Sequence, residues 1–131
     1  MAPALGAGDV GVEVKGCACV ASGLLLYIEI QESSAAMALK PYRSVYKATT
    51  ACTLRLTQNW HSTQRVVVGE SWFASYDTAT ALLAHGLEFQ GIIKTAHSKY
   101  PLAYLRRDSE TWPDRRGWFQ EVEIEALSQR M

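Results

Sequence analysis

The chain has 131 residues, 48% of them apolar and 20% charged, which suits one domain with a packed core and argues against disorder. Thirteen basic and thirteen acidic residues leave no formal net charge, which excludes nucleic-acid binding by bulk charge alone. No apolar run approaches the ~18 residues of a membrane span, and the N-terminus lacks the basic and apolar regions of a secretory leader.

In chain order, residues 1–10 are rich in Ala, Gly and Pro and read as a flexible lead-in. Val12 to Val20 alternates. Val12, Val14, Ala18 and Val20 share one parity; Glu13, Lys15, Cys17 and Cys19 share the other. That is a strand. Ala21-Ser22-Gly23 makes a turn, and Leu24 to Gln31 forms a second strand with Leu26, Ile28 and Ile30 on one side. The two strands make a hairpin.

Ser33 to Leu39 is a short loop or helical turn that Pro41 ends. Thr49 to Trp60 fits two patterns. Cys52, Leu54 and Leu56 alternate as in a strand, whereas Cys52, Leu56 and Trp60 share a helix face; the length of the segment favours helix. The run RVVVG from Arg65 to Gly69 has no alternation and suits a strand buried on both faces. Ser75 or Asp77 caps a helix with Ala79, Leu82, Leu83 and Leu87 as its apolar stripe, and Gly86 stops it. Leu87 to Thr95 is the next strand. Leu102 to Arg107 is one or two helical turns, and Trp118 to Leu127 alternates as a last strand. Strands alternating with helices imply an α/β layered fold with a mixed sheet.

Charge is blocked along the chain. Residues 40–69 hold Lys40, Arg43, Lys47, Arg55 and Arg65 with no acid, and residues 89–116 are basic again, with Lys94, Lys99, Arg106 and Arg107 among them. Such blocks either track a phosphate backbone or form solvated faces with interspersed signs.

Glu70 follows directly on the RVVV run, where open α/β sheets bind ligands, with Trp72 and Phe73 beside it. Spacing alone favours an exposed loop acid with core-packing aromatics. His61, His85 and His97 have no metal-ligand spacing, and Cys17, Cys19 and Cys52 make neither a disulfide framework nor a zinc set; all three read as reduced, mostly buried thiols. Cys19 has no flanking His or Lys to activate it.

From residue 11 to about 120 the chain resembles the transposase domain of the piggyBac superfamily, in its protist and oomycete form. The matching pieces are GVEVKGCACVASGLLLYIEIQE, MALKPY, TACTLRLTQNW and RVVVGESWFASYDTATALLAHGLEFQGIIKTAHSKYP. The last is the most specific: strand, acid, W-F-x-S, helix, then L-x-F-x-G-I-I-K-T. The resemblance implies a ribonuclease-H-like fold, partial over residues 11–131, that cuts transposon ends with three aspartates holding two Mg²⁺ ions. In that chemistry one ion activates the attacking oxygen and the other stabilises the leaving oxygen.

The resemblance also locates departures. Its first aspartate falls at Cys19, a soft ligand poorly matched to Mg²⁺. Its second falls at Glu70, one methylene longer. Its third lies beyond Met131, where this sequence stops. The expectation is therefore a degenerate, catalytically inert transposase-derived domain that needs no cofactor of its own. The other readings are a DNA- or partner-binding module using Lys94, Lys99, Arg106 and Arg107, or a piece of a longer protein that supplies the missing acid. No membrane or small-molecule partner is expected, and a nuclear location is implied by the resemblance alone. A partial fold should leave apolar surface uncovered, Trp112, Trp118 and Phe119 included, and aggregate readily.

Overall fold

In the computed structural model, residues 10–92, 94, 96 and 103 are described. Residues 1–94 form one unit and residues 95–131 another; every element below belongs to the first. The elements are β1 (Val14–Ala18), β2 (Leu25–Ile30), α1 (Ser34–Ala38), α2 (Ala48–Leu56), a 3₁₀ turn (Gln58–Trp60), β3 (Val66–Gly69), α3 (Tyr76–Ala84) and β4 (Glu88–Gly91). The α/β order read from the sequence therefore holds. Of the expected elements at 102–107 and 118–127, only Ala103 is among the described residues; Trp112, Trp118 and Phe119 lie outside them.

The strands do not join into one mixed sheet. They form two two-stranded sheets, β1 with β2 antiparallel and β3 with β4 parallel. The first is the expected hairpin. Cys19 closes it: its N–H donates to the Leu24 carbonyl at 2.9 Å and its carbonyl accepts from Gly23 N–H at 2.8 Å. Gly23 takes φ +71°, a conformation that glycine adopts without steric penalty. The second sheet is a βαβ unit with α3 as its crossover, which parallel strands require.

α1 and α3 start where their caps say. Ser33 Oγ accepts from Ala36 N–H at the start of α1, and Ser75 Oγ accepts from Thr78 N–H at 3.0 Å at the start of α3. Gly86, at φ +72°, ends α3. α2 is buried all round, from Thr50 to Leu56, which is why its sequence shows no clean helical stripe. Its Thr50 hydroxyl meets that of Thr78 on α3 at 2.9 Å, so two buried polar groups satisfy each other. Leu54, Ala81, Leu82 and Leu87 form the centre of the core, with Tyr42, Tyr46, Trp60, Val67 and Phe89 packed around them.

Three details depart from the sequence reading. β3 is not buried on both faces: Val66 is 50% and Val68 64% exposed, and only Val67 packs on the core. A two-stranded sheet with helices on one side has a wet side, so the strand alternates although its residues do not. Leu83 is exposed, and the buried line of α3 runs through Thr78, Ala81 and Leu82 instead. On β2 the buried residue is Glu29, whereas Leu26, Ile28 and Ile30 are about half exposed. The uncovered apolar surface therefore lies largely on the hairpin and β3. Among the described residues no helix is long and apolar enough to cross a membrane.

Candidate functional site

The site expected from the sequence lies where β1 and β3 end. Cys19 is the residue after β1, and Glu70 is the residue after β3. A cavity of about 560 Å³ lies between the two strands; Gly16 to Ala21 line one side and Arg65 to Gly69 the other. Leu26, Leu56, Trp60, Phe73, Leu87 and Phe89 complete its apolar wall. Cys19 is thus inside this space, and Glu70 is at its edge, one residue past the lining Gly69.

Glu70 is exposed, and its carbonyl accepts from the N–H groups of Phe73 and Ala74 at 3.0 Å each. That turn sets Trp72 edge-on to Phe73, ring centres 4.7 Å apart. Lys15 of β1 places its ammonium 3.9 Å from the centre of the Trp72 ring, and Glu13 holds the same ammonium at 2.6 Å. The hairpin and the β3–α3 turn are therefore tied together next to Glu70. Gly69 is needed here: a Cβ would lie 2.9 Å from the Phe89 ring.

The three thiols are not equally buried, contrary to the sequence reading. Cys52 is 1% exposed, while Cys17 and Cys19 are partly exposed. Hydrogen bonds from Ser22 and Ala21 hold the Cys19 thiol below its usual range, with a further pull from the Arg65 charge. Burial pushes Cys17 up. Burial and the neighbouring Glu29 carboxylate push Cys52 up to about 12. Arg65 has no sequence signal as a neighbour of Cys19; the fold brings it there from the entry of β3.

Among the described residues the donors do not fit a Mg²⁺ pair. Such a site needs clustered hard oxygen ligands. The described residues contain no group of three His, Cys, Asp or Glu side chains able to hold a metal ion, and the two expected positions offer a thiol and one exposed carboxylate.

The first basic block is largely consumed by ion pairs. Lys40 pairs with Glu32 at 2.9 Å, Lys47 with Asp77 at 3.0 Å and Arg55 with Glu29 at 2.6 Å, while Arg43 donates to the Tyr46 carbonyl. Glu29 and Glu32 precede this block in sequence and Asp77 follows it, so charge segregated in sequence is neutralised in space. Arg65 makes no ion pair among the described residues. In the second block Lys94 is exposed; Lys99, Arg106 and Arg107 lie outside the described residues.

Compared with known proteins, residues 6–121 match the sequence model of a family described as Transposase IS4. No curated protein and no solved structure matches the chain.

Proposed function

The chain belongs to the Transposase IS4 family, and from that premise we propose that it is a transposase-derived domain of the piggyBac, ribonuclease-H-like type that no longer cuts DNA. The observation that carries the loss of chemistry is Cys19 at the end of β1, where the resemblance calls for a metal-binding aspartate. A thiol favours soft ions and offers Mg²⁺ little. The carboxylate expected to share the site, Glu70, is exposed, and no group of three potential metal-ligating side chains occurs among the described residues. One exposed carboxylate supplies too few hard oxygen ligands to hold two Mg²⁺ ions.

The ribonuclease-H-like reading draws support from strand placement. β1 and β3 both line one cavity, and their C-terminal ends carry the two positions in question. A sheet in the order β2-β1-β3-β4 would bring those ends side by side. The test of function is incubation of the purified chain with supercoiled DNA and Mg²⁺. The expected result is intact supercoils.

Family membership also favours a second reading, in which the domain holds DNA without cutting it. Exposed Lys94, with Lys99, Arg106 and Arg107, would contact the phosphate backbone. Affinity should then fall steeply with added salt. Binding that is flat from low to high salt contradicts this reading.

A further inference from the structure

Two histidines that the transposase reading does not use meet at the junction between α3 and the loop entering β3. The His61 and His85 rings lie 4.8 Å apart, centre to centre. Tyr42 stands edge-on to His85 at 5.5 Å and to His61 at 6.1 Å, and Tyr46 stands 6.2 Å from His85. The ring nitrogen Nε2 of His61 is buried and has no hydrogen-bond partner. His85 Nδ1 is engaged with the Ala81 carbonyl at 2.7 Å.

The backbone segments that carry the two histidines are joined as well. Ser62 N–H donates to the His85 carbonyl at 2.8 Å, and Gln64 N–H donates to the Gly86 carbonyl at 2.9 Å. The loop is under strain: Ser62 and Gln64 have φ of 62° and 59°, uncommon for residues with a side chain. It leads straight into Arg65 and β3, beside the cavity that holds Cys19.

We propose that His61 and His85 form an acid-sensitive latch: a proton gained by the pair separates the rings and releases residues 61–64 from the end of α3. A proton at Nε2 of His61 would create a buried cation with no acceptor. Among the described residues no acid pairs with it. Tyr42 and Tyr46 are neutral phenols, and Arg43, bonded to the Tyr46 carbonyl, adds positive charge. From α2, the Arg55 guanidinium is turned onto Glu29. Asp77 is at the opposite end of α3 and paired with Lys47, and Glu88 is exposed on β4. Consistent with this, burial and then the charge of His85 hold His61 below the ordinary histidine range, against a smaller opposing pull from the Leu54 backbone. For a group lowered in this way, folded stability is complete above the ordinary value of about 6.5 and declines as pH falls below it.

The test is amide hydrogen exchange on the full chain, expressed as protection factors. Between pH 6.5 and 5, protection at Ser62 and Gln64 should fall as pH falls, by at most the tenfold per pH unit that one proton taken up on opening gives. The Leu54 amide in α2 should keep its protection. His61→Gln and His85→Asn should each flatten the slope at Ser62 and Gln64. Protection that is constant with pH, a loss shared equally by Leu54, or an unchanged slope in a folded variant overturns the proposal. If neither variant folds, the wild-type comparison of Ser62 and Gln64 with Leu54 decides it.

Discussion

Arg55 grips Glu29 with two hydrogen bonds, Nε to Oε2 at 2.6 Å and Nη2 to Oε1 at 2.8 Å, and so ties α2 to β2 across a gap of 26 residues. Both side chains are 7% exposed. The remaining polar atoms are served as well: Arg55 Nη1 donates to the Pro41 carbonyl at 2.8 Å, and Gln31 donates to Glu29 at 3.2 Å. Removing one partner would leave a buried, unpaired charge. Glu29→Ala or Arg55→Met should therefore each cost about 3–5 kcal/mol in urea unfolding, and the double variant much less than their sum.

The same pair sets an acid limit. Burial works against the Glu29 charge, but the Arg55 hydrogen bonds and charge outweigh it and hold the carboxyl below the usual range. Its contribution is thus present above the unfolded value of about 4.3 and lost as pH falls through the lower folded value. Urea midpoints should drop below about pH 4.3 in the wild type and change less in Arg55→Met. That window lies below the histidine range, so the two acid effects separate on one titration.

Gly86 and Gly23 give a matched comparison. Both have left-handed φ, +72° and +71°. A Cβ at Gly86 would come 2.6 Å from Ser62 Cα, whereas at Gly23 it would meet nothing within 4 Å. Gly23→Ala should cost only the conformational penalty of about 1–2 kcal/mol. Gly86→Ala should cost clearly more, because backbone must move. Thermal melts of the two variants side by side check this.

Thiol chemistry should follow position. Cys19 lies partly exposed with its thiol pulled down by Ser22, Ala21 and Arg65; Cys52 is enclosed and pushed up to about 12. Timed alkylation with iodoacetamide at pH 7.5, followed by peptide mass spectrometry, should modify Cys19 first and Cys52 last. Arg65→Gln should slow Cys19 only slightly, since Ser22 supplies the larger effect.

What was legible in the sequence was local. The hairpin, the Ser75 cap, the Gly86 stop and the βαβ order all follow from periodicity and capping within a few residues. What was hidden depends on partners far along the chain. Glu29 looked like an outward polar position because its partner, Arg55, is 26 residues away. RVVV looked doubly buried because composition does not say how many strands a sheet has. Thr78 interrupted the apolar stripe of α3, although a buried Thr50 hydroxyl lets it serve as core. At the candidate site the sequence gives the positions of Cys19 and Glu70, but not the cavity shared by β1 and β3, nor Lys15 seated on Trp72. Its remaining basic positions, Lys99, Arg106 and Arg107, lie outside the described residues.

The loss of strand cleavage that we propose for the site ending β1 and β3 is best checked by incubating supercoiled plasmid with the purified chain and Mg²⁺ or Mn²⁺, beside its Glu70→Ala variant. Both are expected to leave the plasmid supercoiled. Metal-dependent nicking by the wild type that Glu70→Ala abolishes would contradict it.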